Sequence, residues 1–305
     1  MIAPALPQET PLVSIGMPVL NGGPALQVAV KSLLAQTMPS WELLLLDDGS
    51  TDGETESIAA LQDCRIRVFH DGKNKGLAAR LNETLDLASG RYFARMDHDD
   101  IAHPDRFRLQ VSALESDPTL DLLACRCIRF NDDNQFTGYM PFAASHQEIC
   151  RHPWLRIPMT HPSWLGRLDW FRRHRYSLPA SFYSEDFELL LRALETSRYA
   201  ALPQVLLAYR EHSRIELKKR LRARLAQFSL QRSYFVDKHQ LGSALMASAA
   251  LLLRLAADGC RAGAQAAGLP LDVHRSVDPG DAAEWYTVME RLGVCRGGNG
   301  RCADT

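Results

Sequence analysis

The first 125 residues of the chain alternate between short apolar runs and longer amphipathic segments. The apolar runs end at turn-forming residues and predict strands at 12–18, 41–46, 65–70 and 91–96. The segments that follow these runs carry apolar residues at helical spacing and predict helices at 24–36, 54–61, 76–88 and 103–116. Alternation of strands and helices at these distances predicts βαβ units and a parallel sheet.

The pattern changes twice further along the chain. Residues 122–139 and 199–209 are strand-like, with an amphipathic helix predicted between them at 184–196. Beyond residue 210 the sequence turns to arginine-rich and alanine-rich helices and ends in a polar, glycine-rich tail from residue 296. We therefore predict an α/β fold with a Rossmann-like, mostly parallel sheet flanked by helices and a C-terminal helical extension. The predicted domains are 1–213, with halves at about 11–125 and 126–213, and 214–305.

Composition narrows the class of protein. The chain has 305 residues, 46% of them hydrophobic and 23% charged, which excludes a disordered or fibrous protein. A formal net charge of −1 gives no overall positive field for nucleic acid. Seven cysteines without a regular framework predict reduced thiols in the cytoplasm. The first 14 residues do not resemble a signal peptide, and the apolar stretch 244–253 is shorter than the roughly 20 residues of a membrane span. We expect a soluble or peripheral chain.

Acidic and polar residues follow three of the predicted strands, at the sheet edge where ligands of open parallel sheets bind. Pro18–Asn21 follows the first strand, Asp47 and Asp48 end the second, and Asp97-His-Asp-Asp follows the fourth. Aspartates this close repel one another unless a cation or hydrogen-bond donors neutralise them. Mg²⁺ and Mn²⁺ bind one or two carboxylates together with phosphate oxygens, so this edge predicts a metal that carries a diphosphate. The alternative is that these aspartates only form turns and caps.

Five short motifs occur in a fixed order along the chain: Val13-Ser-Ile-Gly-Met-Pro18, Asp47-Asp-Gly-Ser-Thr-Asp52, Lys75-Gly-Leu-Ala-Ala-Arg80-Leu-Asn82, Ala94-Arg-Met-Asp97-His-Asp99-Asp100 and Ser184-Glu185-Asp186-Phe-Glu-Leu-Leu-Leu-Arg192. In this order and spacing they resemble the family 2 glycosyltransferases, which have the nucleotide-diphospho-sugar transferase (GT-A) fold. The resemblance covers residues 11–212.

The resemblance implies a binding site for a nucleotide-diphospho-sugar. Its residues would be Pro18, Asn21, Asp48, Arg80 and Asp97. Asp48 matches the residue that contacts the nucleobase, Arg80 lies at a helix start that faces the nucleotide, and Asp97 lies near the ribose and the metal. The family often has an aromatic residue before the asparagine of the first loop, where this chain has Leu20.

The resemblance also implies Mn²⁺ or Mg²⁺ as cofactor. Asp99 matches the direct metal ligand, and Asp97 is a second candidate. The segment Tyr209-Arg-Glu-His212 is similar to a family segment whose histidine reaches the metal or the diphosphate. We therefore include His212 as a metal ligand and Arg210 as a contact of the acceptor or the diphosphate.

Asp186 matches the general base that takes the proton from the acceptor hydroxyl. At a helix start the dipole is expected to keep its carboxylate ionised. The alternative is that Glu185 and Asp186 form a cap. Glu185 and His161 are further candidates for the acceptor or diphosphate site, with a turn-capping role as the alternative for His161. Trp154 and Trp164 are predicted either to stack on sugar or to pack in the core.

The segment 214–238 carries eight basic and two acidic residues together with leucines at helical spacing. Such a helix can lie on an anionic membrane surface, and the alternative is a helix packed on the catalytic domain with its charges solvated. Charge without interleaved aromatic residues does not favour nucleic acid.

The motifs together predict a metal-dependent inverting glycosyltransferase that transfers a sugar to a carbohydrate or lipid-linked acceptor, in bacterial surface polysaccharide or glycolipid synthesis. The inverting mechanism is implied by the family and is not visible in the residues. Two alternatives remain, a nucleotidyltransferase that makes sugar nucleotides and a binding protein without catalytic activity.

Overall fold

The structure is a computed structural model, and it describes residues 10–180, 184–212, 217–266 and 276–294. In these ranges the strands are β1 (Val13–Val19), β2 (Trp41–Asp47), β3 (Ile66–His70), β4 (Tyr92–Arg95), β5 (Ile101–Ala102), β6 (Leu122–Phe130), β7 (Phe136–Tyr139), β8 (Leu165–Arg167) and β9 (Tyr199–Arg210). The helices are α1 (Gly23–Leu34), α2 (Glu54–Ala59), α3 (Leu77–Leu87), α4 (Arg106–Ser116), α5 (His146–Ile149), α6 (Leu168–Arg173), α7 (Glu185–Ala193), α8 (Leu217–Asp237), α9 (Leu241–Ala266) and α10 (Pro279–Arg291), with a 3₁₀ turn at His161–Ser163.

One mixed sheet connects all of the described strands. Its order is β3-β2-β1-β4-β8-β6-β9-β5, with β7 paired to the outer part of β6. The pairs β3–β2, β2–β1, β1–β4 and β6–β9 are parallel, whereas β8, β5 and β7 pair antiparallel with their neighbours. The predicted α/β class is therefore confirmed. The predicted boundary between the two halves, at 125/126, falls inside β6, so the sheet is continuous across it.

Both faces of the sheet are covered, which explains why β2 is a continuous apolar run. Leu43 and Leu45 of β2 pack on one side with α1 and α4, and Leu44 and Leu46 pack on the other side with α3, α6 and α7. All four leucines are buried, as expected when alternate residues of a strand point to opposite faces and each face carries helices. This packing places the loops after β1, β2 and β4 together at one edge of the sheet.

The C-terminal helices are attached to this core in two places. Phe235 of α8 is buried in the core cluster on the α3 side, and Gln231 of the same helix donates to the carbonyl of Pro153 at 2.9 Å. The helix α10 folds back onto β5, β6 and β9, where Trp285 is fully buried and donates to the carbonyl of Val205 at 3.2 Å. The predicted polar tail from residue 296 lies outside the described residues.

The sequence-based expectation about membrane spans needs a correction. The segment Leu241–Cys260 of α9 is long and apolar enough to cross a membrane by length and composition. Counting only the run 244–253 missed this, because Gly242 and Ser243 before the run and Arg254 after it bound the run without ending the helix. The described part of α8 also shows where the basic segment lies: its second half packs on the catalytic core.

Candidate functional site

The loops after β1 and β2 are held together by hydrogen bonds. The Asn21 amide N–H donates to Ser50 Oγ at 2.9 Å, and Asn21 Oδ1 accepts from the Thr51 amide at 2.9 Å. Asn21 has a φ of 51°, in the left-handed region that asparagine tolerates better than most residues. Asp52 accepts from the Gly23 amide at 2.9 Å. Pro18, at the end of the paired part of β1, precedes this loop and is buried.

Asp48 lies at the centre of a network of donors. Its carboxylate accepts from the amides of Lys75 and Gly76 at 2.7 and 3.0 Å and from Arg80 Nε at 2.9 Å. The Arg80 side chain is 3% exposed and also bonds Asp71 and Glu83. The Arg80 guanidinium is thus paired with three carboxylates of the chain, and its contact with a nucleotide stays a prediction. Arg80 fixes Asp48.

A cavity of about 580 Å³ lies beside this ion cluster, between α3 and the edge strand β3. Phe69, Asp71, Arg80 and Glu83 are among the residues that line it. None of the aspartates after β2 and β4 lines it. We therefore place the candidate site at the strand ends and not in this cavity.

Asp97 forms a bidentate ion pair with a buried arginine of β4. Arg95 contacts the two carboxylate oxygens of Asp97 at 2.6 Å each. The Arg95 side chain is 3% exposed, and its Nε has no hydrogen-bond partner among the described residues. A bidentate arginine pair is a strong, oriented contact, so Asp97 is held by the chain on one side and is 28% exposed on the other.

Asp99 contacts the histidine predicted at the end of β9. His212 Nε2 donates to Asp99 Oδ2 at 2.9 Å, although the two residues are 113 positions apart. Arg210 reinforces this junction, because its Nε donates to the Asp99 carbonyl at 3.2 Å and its amide donates to Asp100 Oδ1 at 2.9 Å. Asp100 is buried, and its Oδ2 has no partner in the described part of the chain. Burial and the charges of Asp97 and Asp99 raise the pKa of Asp100 well above its ordinary value.

The donors at this junction fit Mn²⁺ or Mg²⁺. Asp99 offers carboxylate oxygens and His212 an imidazole nitrogen, within hydrogen-bond distance of each other. No group of three or more histidine, cysteine, aspartate or glutamate side chains in the described ranges is arranged to hold a metal by itself. Two protein ligands are the number that these cations take when phosphate and water complete the shell. Asp97 is paired with Arg95, and its role as a further metal ligand stays a prediction.

Glu185 and Asp186 lie at the start of α7, where the charges of Arg95 and Asp97 act on their pKa values. Burial raises the pKa of Glu185 to about 7, and the charge of Asp186 adds to the shift. Burial raises the pKa of Asp186 as well, Asp97 contributes in the same direction, and Arg95 opposes it. Burial thus acts on the pKa of Asp186 against the helix dipole, and that Asp186 is ionised stays a prediction. The Ser184 side chain makes no capping bond, and the alternative that Glu185 and Asp186 form a cap stays open.

His161 lies beneath this group, in a cluster of rings. It is 7% exposed and shares a hydrogen bond of 2.7 Å with the hydroxyl of Tyr176. Its ring is 4.6 Å from that of Trp164, edge to face. Burial lowers the pKa of His161 well below its ordinary value, so the ring is neutral. The structure shows His161 as a buried partner of Tyr176, and its contact with an acceptor stays a prediction. Trp164 is a core residue, and Trp154 packs partly buried against the same core.

Sequence reasoning missed two residues of this site. Arg95 pairs with Asp97, and Tyr176 bonds His161. Asp100, which the sequence places in the acidic cluster after β4, joins this loop to β9. A basic residue in the otherwise apolar strand before the aspartates was a usable signal for Arg95. Tyr176 carries no such signal, because it lies among arginines in a segment without periodicity.

The model of the family described as "Glycosyl transferase family 2" matches residues 14–174, more than half of the chain. The chain belongs to glycosyl transferase family 2. The resemblance to this family is thereby confirmed, on a match that spans the first four motifs and ends before the fifth. The matched residues include Asp48, Asp97 and Asp99 and end before Asp186 and His212. The roles of individual site residues remain predictions.

Two curated relatives and one solved structure illustrate the relationship. The chain is 42% identical over 108 residues to the putative glycosyltransferase EpsE of Bacillus subtilis, which covers 34% of this chain and 39% of EpsE. It is 37% identical over 103 residues to the UDP-Glc:alpha-D-GlcNAc-diphosphoundecaprenol beta-1,3-glucosyltransferase WfgD of Escherichia coli, covering 34% of this chain and 41% of WfgD. The chain thus spans less than half the length of these two relatives.

The fold is similar to that of the mannosyltransferase PcManGT from Pyrobaculum calidifontis, solved in complex with GDP-Man and Mn²⁺. The TM-score is 0.58 at 18% sequence identity, and the match covers 94% of this chain and 86% of that protein. At this identity the likeness concerns the fold, which is GT-A-like.

Proposed function

We propose that this member of family 2 is a metal-dependent inverting glycosyltransferase that transfers a sugar from a nucleotide-diphospho-sugar to an acceptor hydroxyl. One observation carries the proposal: the charges of Arg95 and Asp97 act on the pKa values of Glu185 and Asp186, although these residues come from distant parts of the chain. We infer that a metal and diphosphate site and a carboxylate suited to proton transfer share this edge of the sheet. This arrangement supports transfer of a sugar between the two.

The donor would bind along the loops after β1 and β2. Asn21 and Pro18 shape the first loop, and Asp48 is the candidate contact of the nucleobase, with Arg80 acting through Asp48 as a positioning residue. Asp97, fixed by Arg95, would face the ribose and sugar.

Asp99 and His212 are the residues that would hold Mn²⁺ or Mg²⁺. Such a cation, when bound, supplies positive charge that stabilises the leaving diphosphate. Arg210 donates to the Asp99 carbonyl, and its own charge would be added to that of the metal beside the diphosphate. The presence of Mn²⁺ in the PcManGT complex supports this choice of metal class.

Asp186 would accept the proton of the attacking hydroxyl. A base works best when its pKa lies near the working pH, and burial moves Asp186 and Glu185 in that direction from the ordinary carboxylate range. The single displacement with inversion that we propose is implied by membership of the family, in which one base acts opposite the leaving nucleotide.

The acceptor class is inferred from the relatives. WfgD is named for transfer from UDP-Glc to a diphosphoundecaprenol-linked sugar, and PcManGT was solved with GDP-Man. These names support a uridine or guanosine diphosphate sugar as donor and a carbohydrate or lipid-linked acceptor in surface polysaccharide or glycolipid synthesis. The cysteines in the described ranges are free, which supports a cytoplasmic location at the inner face of the membrane.

The first experiment is a thermal-shift screen of UDP-, GDP-, dTDP- and CMP-sugars with and without Mn²⁺, because a ligand of the folded state raises apparent stability. Donor hydrolysis and transfer are then measured for the wild type, Asp186→Asn and Glu188→Gln, the last as a control on the same helix. Asp186→Asn should lower turnover by roughly 10²–10⁴-fold while donor affinity in calorimetry is retained. Turnover near wild type in a folded Asp186→Asn protein would refute the assignment of the base.

The same assays distinguish the alternatives. A binding protein would be stabilised by a donor without consuming it. A nucleotidyltransferase would release inorganic diphosphate from a nucleoside triphosphate and a sugar phosphate. Either result would overturn the proposal.

A further inference from the structure

Between residues 241 and 260, the two charged side chains of α9 face the protein. Asp258 is buried, with its carboxylate 3.3 Å from Arg224 Nε and 3.6 Å from Arg220 of α8. Arg254 donates to the carbonyl of Leu155 and, at 3.2 Å, to Gln227 of α8. Because the far end of α9 meets the first turns of α8, the two helices form an antiparallel hairpin joined by residues 238–240.

The opposite face of α9 is apolar and exposed. Its large side chains are largely open to solvent, with exposed fractions of 65% for Leu241, 72% for Leu245, 51% for Met246, 67% for Leu252 and 73% for Leu253. The remaining exposed residues between positions 241 and 260 are alanine, glycine and one cysteine, so no charged residue of this helix segment is exposed. We call these five large residues the apolar face of α9. A soluble helix normally has the reverse arrangement, with leucines inside and charges outside.

The hairpin is strongly basic. Residues 218–260 contain eight basic and two acidic side chains. Lys218, Lys219, Arg222 and Arg232 of α8 are exposed. The hairpin therefore combines an apolar helix face with exposed positive charge on the neighbouring helix. Both features match the surface of an anionic bilayer, whose headgroups attract basic side chains and whose interface accepts apolar ones.

We propose that the α8–α9 hairpin binds the surface of an anionic lipid bilayer, with the apolar face of α9 inserted among the lipid headgroups. A second copy of the chain fits less well, because pairing two such hairpins would bring their positive charges together. A spanning helix also fits less well, because Arg254 and Asp258 would have to leave their partners on α8. The basic segment predicted to contact membrane thus supplies charge, and the neighbouring helix supplies the inserted residues.

This inference stands apart from the proposed function, because it concerns a surface on the C-terminal hairpin and needs no turnover. Its test therefore measures binding alone. Full-length protein is sedimented with vesicles of phosphatidylcholine, or of phosphatidylcholine mixed with phosphatidylglycerol, at low and high salt. We expect sedimentation with the anionic vesicles, reduced by salt because screening weakens the attraction of the basic residues.

Two sets of variants separate insertion from charge. Leu245→Gln combined with Leu252→Gln should lower the apparent vesicle affinity at least about tenfold, since each leucine would lose its apolar surroundings. The matched control is Leu61→Gln, an exposed leucine at the end of α2. Lys218→Glu combined with Arg222→Glu should weaken binding mainly at low salt, with the exposed Lys31→Glu on α1 as control.

Circular dichroism checks that each variant is folded, and Leu245→Ala with Leu252→Ala replaces the glutamine pair if the latter is unfolded. The inference is wrong if the wild type does not sediment with anionic vesicles at low salt, or if the leucine variants bind as the wild type does. A concentration-dependent dimer in light scattering that is lost in the leucine variants would assign the face to a second copy instead. Resistance to extraction by alkaline carbonate would indicate a spanning helix and would also overturn it.

Discussion

Replacing Glu185 by glutamine is expected to stabilise the metal-free protein above neutral pH. Burial and the charge of Asp186 raise the pKa of Glu185 from an ordinary 4.5 to about 7. A difference of about 2.5 pH units corresponds to about 3 kcal/mol, because each unit is worth about 1.4 kcal/mol. This is the largest gain that the substitution can bring, since glutamine removes the charge and keeps the size of the side chain.

The pH range of the effect follows from the direction of the shift. Below about pH 4.5 the carboxyl is protonated in both the folded and the unfolded state, and the substitution should change little. Between about pH 4.5 and 7 the unfolded state loses its proton first, so the wild type loses stability as the pH rises. Above about pH 7 the folded state is ionised too, and the full penalty is present. The glutamine variant lacks this penalty.

The measurement is urea unfolding of wild type and Glu185→Gln in EDTA, at several pH values from about 4 to 8. Glu188→Gln is the control, because Glu188 lies on the same helix and pairs with Arg192 at 2.7 Å. Its loss should cost only about 0.3–0.5 kcal/mol. A Glu185→Gln protein that is less stable than wild type at every pH would show that Glu185 braces the helix start, and the reasoning from burial would be refuted. An equal gain at pH 4 and pH 8 would refute it as well.

Two further predictions concern the metal and the donor loops. Asp99→Ala should weaken binding of UDP or GDP in the presence of Mn²⁺ at least about tenfold, as measured by calorimetry. The control is Asp169→Ala, because Asp169 is exposed. Unchanged affinity and unchanged metal dependence in Asp99→Ala would refute the metal assignment. Arg80→Met should lower the free energy of unfolding by about 3–5 kcal/mol, because it leaves Asp48 buried without its charged partner. Arg65→Met, which breaks a more exposed pair, should cost about 1 kcal/mol or less in the same urea titration, and equal losses for the two variants would contradict the argument from burial.

The parallel part of the sheet could be predicted because its packing requires a recognisable pattern within each strand. The strand β2 is covered on both faces, and the run of four leucines in its sequence indicates this. Helix and strand limits in the first 125 residues agree with the structure within a few residues for this reason. The strands β5 and β8 show no such pattern. They have two and three residues, too few for a periodicity, and their antiparallel pairing depends on distant partners.

The candidate site shows the same division. The spacing of Asp97 and Asp99 after a strand is a local signal, and it placed both residues at the correct edge of the sheet. Tertiary contacts decide which of the two carboxylates is available to a metal. Arg95 forms an ion pair with Asp97, and His212, 113 residues further along the chain, forms a hydrogen bond with Asp99. The pKa of Asp186 is a further case. The dipole of its own helix favours the ionised form and would lower this pKa, but burial by residues from other elements raises it.

The C-terminal hairpin shows what periodicity leaves undetermined. A helical pattern in α9 says that the helix has an apolar face and where that face is, but the usual inference that this face turns inward assumes that the protein provides the apolar partner. Here α8 provides arginines instead, and Asp258 and Arg254 turn toward it. The ion pairs between the two helices therefore decide the orientation of α9, and they leave the leucines outside. The side chains of the neighbouring element thus decide which way the apolar face of a helix turns. A helix that packs against a basic neighbour can turn its leucines away from the protein, toward solvent or a lipid surface.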